Sequence, residues 1–253
     1  MKKFLITGTN SGMGKYLHEN LGGTGLTRKN EIRILSSGER FDNIIHCAWN
    51  SSRDINSENL YPYILDNILL TEKLLQLPHK KFIFFSTVDV YPRTKRVHKE
   101  NEVIALDEVA GMYAITKLIC ESLIKNKAKN FLILRPTGLL GIYSKKGSLM
   151  KILSDEKPSI TLTRDSEINC MLYTDILAFI RRVLEKNIKG IYNIGSSRNI
   201  TLEEAAELMK KNVSYGKFKY LVGHYNTAQA AAIVPEFKKT SKDMIRLFLT
   251  LPL

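Results

Sequence analysis

The sequence predicts an α/β protein built on a doubly wound parallel sheet, with a small lobe formed mainly by the C-terminal part of the chain. Two observations lead to this prediction: short apolar segments alternate with helical patterns, and a glycine-rich turn follows the first apolar segment. Continuously apolar strands are typical of a parallel sheet covered by helices on both faces. Of 253 residues, 44% are hydrophobic and only 15 are Gly and 7 Pro, which excludes collagen-like and low-complexity chains.

The strands are predicted from short runs of large apolar residues that end in turn signals. These runs are Phe4–Ile6, Phe41–Ala48, Lys81–Ser86, Phe131–Leu134 and Ile191–Ile194. Short apolar runs between turn signals are typical of buried strands. A weaker run over Thr24–Thr27 predicts a further strand, which ends immediately before Arg28 and Lys29.

Apolar residues at helical spacing predict helices between these strands. They cover residues 60–76, 110–126, 175–186 and 201–211, and the last begins with the capping pair Thr201 and Glu204. Because strands and helices alternate, a doubly wound sheet is expected over residues 1–140 plus 171–196. We assign residues 141–170, which predict a short helix and one strand, together with residues 197–253 to a small lobe.

The chain is strongly basic, with 38 Lys and Arg against 25 Asp and Glu and a formal net charge of +13. Such a charge permits nucleic acid, an anionic membrane or a phosphorylated small molecule as partner. The basic residues are scattered and no nucleic-acid-binding motif accompanies them, so we favour a solvated surface and expect no nucleic-acid partner. The apolar segment before Thr7 is too short for a signal-peptide core or a membrane span, so no membrane association is expected.

Three cysteines, Cys47, Cys120 and Cys170, are widely spaced and form no paired motif. An odd number of cysteines without such a motif indicates neither a disulfide framework nor a zinc site. We therefore expect free thiols, no bound metal and a reducing, cytoplasmic location.

The glycine-rich turn covers Thr7–Gly14 and joins the first strand to a helix. Glycines at positions 8, 12 and 14 let the backbone pass close to a diphosphate, and the helix N-terminus offers N–H groups and the positive end of its dipole. An ordinary strand-to-helix turn is the alternative. The position directly after an N-terminal strand favours a dinucleotide-binding turn.

A second motif pairs Tyr113 with Lys117 one helical turn later. A phenol has an ordinary pKa of about 10, which an adjacent ammonium lowers, so the pair suits acid–base chemistry near neutral pH. Such a pair is common by chance and gains weight only from its surroundings. The hydroxyl residues Ser86 and Thr87 supply these surroundings, because they follow a predicted strand whose carboxyl end lines the crevice of a doubly wound sheet.

Together, these motifs and their spacing resemble the extended short-chain dehydrogenases/reductases, the family of NAD(P)-dependent nucleotide-sugar epimerases, dehydratases and reductases. The resemblance covers about residues 1–200. The matching segments are the turn Thr7–Gly14, Ile44–Ala48, Asp66-Asn67, Ser86–Tyr91, Tyr113–Lys117, Leu134–Gly141, Tyr173–Ile176 and Gly190–Ser196.

The resemblance implies a Rossmann sheet domain that binds NAD(P) and a lobe that binds substrate. It assigns acid–base catalysis to Tyr113, the nicotinamide ribose to Lys117 and the reacting sugar oxygen to Thr87 rather than Ser86. Residues that border the cofactor are expected to be Gly8, Asn10, Ser11, Gly12, Met13, Gly14, Cys47, Ala48 and Pro136. Trp49 follows a strand end and is interpreted as a packing residue, with contact to cofactor or substrate as the alternative.

Several departures from the family pattern concern the ligands. An arginine that often grips the substrate's diphosphate is missing near Asn169, and Arg164 is the candidate substitute. The second strand ends at Arg28, where NAD-selective members place an acid, so we expect NADP as the cofactor, with NAD as the alternative. Asp89 is the third candidate substrate residue beside Thr87 and Arg164, at a position that tracks reaction type in the family.

The predicted function is that of an NAD(P)-dependent oxidoreductase of carbohydrate biosynthesis that acts on a nucleotide-linked sugar. A 4-keto-sugar reductase or an epimerase with a Thr-Tyr-Lys triad is favoured. A nucleotide-sugar 4,6-dehydratase and a non-catalytic NADP-binding regulator are the alternatives. The resemblance also implies a homodimer through the helices over residues 60–76 and 110–126.

Overall fold

The computed structural model describes residues 2–52 and 54–251. In this part of the chain a six-stranded sheet has the order β6-β5-β4-β3-β1-β2, and the pairs among β1 to β5 are parallel. Its strands are β1 Phe4–Thr7, β2 Thr24–Leu26, β3 Phe41–His46, β4 His79–Phe85, β5 Phe131–Pro136 and β6 Gly190–Ile194. The predicted fold class is confirmed.

Helices α1 to α4 connect the first five strands, and those predicted over residues 60–76 and 110–126 are confirmed. They are α1 Gly12–Leu21, α2 Glu31–Leu35, α3 Leu60–Gln76 and α4 Gly111–Lys127. The periodicity predicts a regular α3, but its centre, Leu65–Leu69, is π-helical. In this turn the buried side chain of Asn67 bonds to both the N–H and the carbonyl of Asn50 and so ties α3 to the segment after β3.

The sheet strands are apolar because helices cover them, as the continuous runs predict. One core cluster joins Leu5, Ile44 and Phe84 of the sheet to Leu74 of α3 and Ile124 of α4, all buried. Burying this apolar area is the dominant favourable contribution to folding.

The order of the strands determines where a ligand crevice forms. The chain passes outward from β1 to β2 and then crosses back to β3 on the other side of β1. In open α/β sheets, ligands bind at the carboxyl ends of the strands at such a reversal. The glycine-rich turn follows β1, and Cys47 and Ala48 follow β3, so both lie at this point.

Contacts divide the chain into two units. Unit 1 comprises Met1–Pro92, Val103–Arg135 and Asn187–Tyr192, and unit 2 comprises Arg93–Glu102, Pro136–Lys186 and Asn193–Leu253. The predicted lobe, residues 141–170 with 197–253, falls within unit 2, which also takes in residues 93–102, 136–140, 171–186 and 193–196.

Unit 2 contains short strands and several helices. The strands are Val97–His98, Gly138–Leu140, Ser159–Leu162, Glu167–Ile168, Cys170–Leu172, Ile200–Thr201, Ser214–Phe218 and His224–Tyr225. The helices are Ser148–Ser154, Tyr173–Lys186, Leu202–Leu208, Ala228–Ile233 and Ser241–Thr250.

Two sequence predictions for unit 2 need correction. The helix predicted over 201–211 ends at Leu208, and Lys210 has a φ of +53°, which a helix cannot accommodate; its predicted capping box at Thr201 and Glu204 is present. The segment 141–170 contains more strand than the one predicted. The strands Ser159–Leu162 and Glu167–Ile168 are too short for an alternating apolar pattern to be recognised in the sequence.

Candidate active site

The glycine-rich turn forms a cradle that side chains would fill. Gly8 and Gly12 have φ values of +74° and +60°, which favour glycine. A Cβ on Gly14 would lie 2.4 Å from the carbonyl oxygen of Gly8, and a Cβ on Gly8 would lie 2.9 Å from the nitrogen of Ala48. At the start of α1, Ser11 makes no side-chain capping bond within the described residues. This part of the site fits the diphosphate of a dinucleotide, which binds to backbone N–H groups at a helix N-terminus.

A hydrogen-bonded histidine fixes the carboxyl ends of β1 and β3 together. The hydroxyl of Thr7 accepts the N–H groups of Cys47 and Ala48 at 3.1 and 2.9 Å and contacts Nδ1 of His46 at 2.8 Å. Nε2 of His46 contacts Thr71, whose own hydroxyl donates to a backbone carbonyl of α3. These hydrogen bonds require the neutral imidazole of His46 to carry its proton on Nε2 and to accept on Nδ1. Burial, with a nearby ammonium, lowers its pKa to about 3, so His46 has a structural role.

The two hydroxyl residues after β4 have different partners. Ser86 donates to the buried carboxylate of Glu121 at 2.5 Å. Thr87 begins the 3₁₀ turn Val88–Val90, and its oxygen accepts the N–H of Asp89 at 3.1 Å. The hydroxyl of Thr87 donates to the carboxylate of Asp89 at 3.4 Å, a long hydrogen bond that a closer acceptor can replace. This arrangement favours Thr87 over Ser86 as the residue that meets a ligand.

Tyr113 and Lys117 lie one turn apart on α4, and the Lys117 ammonium sits in an aromatic pocket at the ends of β3 and β4. Nζ of Lys117 donates to the carbonyl oxygen of Phe85 at 2.5 Å. It lies 3.6 Å from the ring centre of Trp49, 4.7 Å from that of Phe84 and 5.9 Å from that of Tyr113. The side chain is 3% exposed. The predicted pair is therefore built into one enclosed cluster.

The ammonium of Lys117 forms no ion pair with a carboxylate of the described residues. Burial lowers its pKa to about 7, and the nearby groups Cys120, Cys47 and Glu121 act in the opposite direction. Burial also raises the pKa of the Cys47 thiol and raises that of Cys120 to about 11, so neither is a thiolate at neutral pH.

Arg28 lies in the turn after β2 and pairs with a carboxylate of α3. Its Nη2 is 2.8 Å from Oδ2 of Asp66, which also accepts a hydrogen bond from Asn50 at 2.9 Å. The Arg28 side chain is 83% exposed, so its guanidinium retains donors that face solvent.

The remaining predicted residues belong to unit 2. Pro136 is the last residue of β5. Arg164 pairs with Glu203 at 3.2 Å and lies over the ring of Tyr215 at 5.8 Å. Arg164 therefore has local structural partners.

Sequence reasoning missed the wall of the Lys117 pocket. The sequence favours a packing role for Trp49, with contact to a ligand as the alternative, and its position just after β3 is the one signal that points to the site. Phe84 lies within a strand run, and nothing in the sequence distinguishes it from the other strand residues. In the described part of the chain, Cys47, Cys120 and Cys170 are free and no cluster of His, Cys, Asp or Glu could hold a metal ion. No helix of residues 2–52 and 54–251 is long and apolar enough to cross a membrane.

A glycine cradle beside a Tyr–Lys pair, both at the carboxyl ends of a parallel sheet, is the arrangement of a short-chain dehydrogenase/reductase. The model of the NAD-dependent epimerase/dehydratase family matches residues 5–195. The chain belongs to this family and is an enzyme of the short-chain dehydrogenase/reductase type, as the resemblance predicted.

Solved structures share the fold at low sequence identity. UDP-glucuronic acid 4-epimerase from Bacillus cereus, in complex with UDP-glucuronic acid and NAD, is 18% identical, with a TM-score of 0.75 and 96% of each chain covered. dTDP-4-dehydrorhamnose reductase from Bacillus anthracis, in complex with NADP, is 16% identical, with a TM-score of 0.80 and 98% of each chain covered. The NAD-dependent NDP-hexosamine 5,6-dehydratase TunA is 17% identical, with a TM-score of 0.79, covering 98% of this chain and 97% of that chain. No curated protein matches the sequence.

Proposed function

We propose that the protein is an NAD(P)-dependent oxidoreductase of carbohydrate biosynthesis that reduces or epimerises a nucleotide-linked 4-keto sugar. The observation that carries the proposal is the buried Lys117 ammonium beside Tyr113 on α4, held against the carbonyl of Phe85 at the carboxyl end of β4. Thr87 follows the same strand two residues later. The nucleotide-sugar ligands named for the solved structures of the same fold support the substrate class.

The residues of the cradle, from Gly8 to Gly14, would hold the diphosphate of the cofactor, and Lys117 would hold its nicotinamide ribose. When bound, the nicotinamide supplies or accepts a hydride. Tyr113 then gives a proton to the sugar oxygen, or takes one from it, and the ammonium of Lys117 favours the phenolate. Thr87 exchanges its long hydrogen bond to Asp89 for one donated to the same oxygen. Burial excludes water and strengthens these interactions.

The surroundings of Asp89 favour hydride transfer without elimination of water. A dehydratase needs a base close to the carbon that loses a proton. Asp89 is instead engaged in the 3₁₀ turn: its N–H donates to the capping oxygen of Thr87, and its carboxylate accepts the Thr87 hydroxyl at 3.4 Å. We therefore favour a reductase or epimerase over a 4,6-dehydratase.

The experiment supplies the protein with NADPH and a nucleotide 4-keto-6-deoxy sugar. We expect one NADPH to be consumed for each sugar reduced. Tyr113→Phe should lower turnover by at least about 100-fold while cofactor affinity stays within about twofold, because the substitution removes the phenol proton alone. Near-wild-type turnover by Tyr113→Phe would refute the acid–base assignment. Loss of water from a nucleotide hexose without added reductant would establish the dehydratase instead.

We infer that NADP is preferred over NAD because the exposed guanidinium of Arg28 can bind the 2′-phosphate in bidentate fashion. Arg28→Ala should remove the preference in binding isotherms for the two cofactors. Equal affinity of the wild-type protein for both would overturn the inference.

We further propose a cytoplasmic homodimer in which α3 and α4 pack across a two-fold axis. These two helices expose apolar side chains, namely Leu60, Tyr61, Leu69, Met112 and Ile119, which are 37–68% exposed. A second copy that covers them buries a surface that solvent otherwise contacts. A monomer in sedimentation at micromolar concentration would refute the dimer, whereas Ile119→Glu should convert a dimer to a monomer.

We assign substrate binding to unit 2, with Arg164 as the candidate partner of the substrate's diphosphate. Arg164 is exposed and paired with an exposed Glu203, so exchange of this partner for a phosphate costs little. Arg164→Ala should raise the KM for the nucleotide sugar and leave cofactor affinity unchanged. An unchanged KM would remove Arg164 from the site.

A further inference from the structure

Trp49, the sole tryptophan of the chain, lies directly over the functional lysine. The 3.6 Å distance from Nζ of Lys117 to the Trp49 ring centre is well inside the range of a cation–π contact. The Trp49 ring also meets Phe84 at 5.9 Å and stands perpendicular to Tyr113 at 6.3 Å. The indole therefore forms one wall of the catalytic cluster.

The indole N–H of Trp49 is buried and has no hydrogen-bond partner among the described residues. A buried donor without a partner is unfavourable, and indole N–H groups usually find an acceptor when buried. Packing and ring contacts therefore hold Trp49 in this position, without a hydrogen bond from its indole. No indole hydrogen bond has to be broken when something else takes its place.

The donors of Lys117 are occupied in this arrangement. One N–H group is directed to the carbonyl oxygen of Phe85, and the rings of Trp49 and Phe84 cover the ammonium, which is 3% exposed with its side chain. Ribose hydroxyls can bind to Lys117 only if an N–H donor becomes accessible to them. The Trp49 ring is the wall closest to Nζ.

We propose that Trp49 is a positioning residue that acts through Lys117: its ring caps the ammonium and yields that place to the nicotinamide ribose when the cofactor binds. The proposal rests on the proposed function, because it needs Lys117 to be the residue that binds the ribose. The capped lysine lies in a dry pocket without a carboxylate partner among the described residues. The cap then makes cofactor binding weaker than it would be at an open lysine.

The cap also controls the protonation of Lys117. The groups that face Lys117 are His46 and Cys47 at the end of β3 and Tyr113, Cys120 and Glu121 on α4. His46 and the thiols are neutral near pH 7, and Glu121 is engaged by Arg135. Desolvation is the largest cause of the low Lys117 pKa, and the Trp49 ring is part of what excludes water. Removing the ring should therefore raise that pKa.

The test uses the fluorescence of Trp49 and needs no label. Oxidised NADP is titrated into the wild-type protein while emission is recorded, and the dissociation constant is measured independently by calorimetry. We expect the Trp49 emission to shift with a midpoint equal to the calorimetric constant, because the indole leaves the ammonium. Saturation in calorimetry without any change in emission would overturn the proposal.

Variants provide the second readout. Trp49→Ala should bind NADP roughly 3- to 10-fold more tightly, and the alkaline limb of its pH–activity profile should move to higher pH. Trp49→Phe keeps a ring over Lys117 and should stay close to the wild-type affinity. Phe218→Ala, which removes an exposed ring of unit 2, serves as the control and should change neither quantity. Unchanged affinity and pH profile in Trp49→Ala would contradict the proposal.

One further variant separates this inference from the proposed function. Lys117→Met should weaken NADP binding in calorimetry if Lys117 holds the ribose. Unchanged binding by Lys117→Met means that the proposed function of Lys117 fails. Weakened binding by Lys117→Met together with an unresponsive Trp49 means that the cap alone is wrong.

Discussion

Lys117 and Glu121 are neighbours on one face of α4, and both charges are buried, yet their surroundings differ. Glu121 is fully buried and holds Arg135 through two charge-assisted bonds of 2.6 and 3.0 Å, while Ser86 donates to the same carboxylate. Lys117 has one backbone carbonyl and aromatic rings. A buried charge with a full set of partners is tolerated, whereas one without a counter-ion is unfavourable.

This difference indicates which charge is structural and which is kept for chemistry. Arg135 also donates to the hydroxyl of Tyr91 at 2.7 Å, so the Glu121 cluster ties the end of β5 to α4 and to the segment after β4. These bonds use the hydrogen-bonding capacity of the Glu121–Arg135 pair. The adjacent residues Ser86 and Thr87 divide in the same way: Ser86 donates to the Glu121 cluster, and we propose that Thr87 acts in the active site.

The largest effect is expected from breaking the Glu121–Arg135 pair. Arg135→Met leaves the Glu121 carboxylate buried without a counter-ion, which should lower the free energy of unfolding by about 3–5 kcal/mol. Urea unfolding measures this loss. Lys80→Met, which breaks an exposed pair with Asp42, is the matched control and should change stability by less than about 1 kcal/mol. Equal effects of the two substitutions would refute the structural role of the pair.

Lys117→Met should stabilise the protein, in contrast to Arg135→Met. Replacing the unpaired ammonium with an apolar chain should raise the free energy of unfolding by about 1–3 kcal/mol at pH 6, while turnover is lost. The folded-state pKa of Lys117 is about 7, below its unfolded value, so from pH 7 upward the unfolded chain binds more protons and wild-type stability rises.

The advantage of Lys117→Met should therefore shrink by about 1.4 kcal/mol per pH unit above pH 7. Urea unfolding at pH 6 and pH 8.5 checks both the sign and the slope. A destabilised variant, or an advantage that grows with pH, would show that Lys117 is a structural charge like Glu121.

Substitution of Ser86 should affect mainly stability, and substitution of Thr87 should affect mainly activity. Ser86→Ala removes a donor to Glu121 and should cost about 1 kcal/mol of stability with turnover largely retained. Thr87→Val should lower kcat/KM by at least about tenfold with a smaller loss of stability. Steady-state kinetics and urea unfolding of both variants measure these changes, and a reversed pattern would exchange the two roles.

The smallest effect is expected at the exposed pair of Arg28 and Asp66. Asp66→Asn removes the carboxylate that competes with a phosphate for Arg28 but keeps the shape of the side chain next to Asn50. NADP should then bind about two- to fivefold more tightly, with NAD unaffected, in calorimetric titrations. A change that is equal for both cofactors would exclude Arg28 from the 2′-phosphate site.

The sheet and its main helices could be predicted from the sequence because local patterns determine them. Apolar runs such as Phe82–Phe85 lie in strands, and apolar residues at helical spacing define α4. Gly8 and Gly14 of the turn after β1 stand where a Cβ would clash with the backbone. The positions of Tyr113 and Lys117 follow from the helix itself. These features depend on residues close together in the chain.

The surroundings of the site could not be predicted, because they depend on contacts between distant segments. Trp49 meets Lys117 only through the packing of the segment after β3 against α4, and nothing in the pattern around either residue indicates that contact. The π-helical turn of α3 is likewise hidden, because apolar spacing over five residues does not distinguish it from an α-helix. The pairing of Arg28 with Asp66 could not be predicted from the sequence either.

The most direct test of the contrast between the two buried charges is the pKa of Lys117, measured by NMR with isotope-labelled lysine. Its resonance is assigned as the one that disappears in Lys117→Met. Burial without a counter-ion predicts a midpoint near pH 7 for the cofactor-free protein and an upward shift on saturation with NADP, whose ribose hydroxyls accept hydrogen bonds from the ammonium. A midpoint near the ordinary lysine value of about 10.4, unaffected by NADP, would contradict the account.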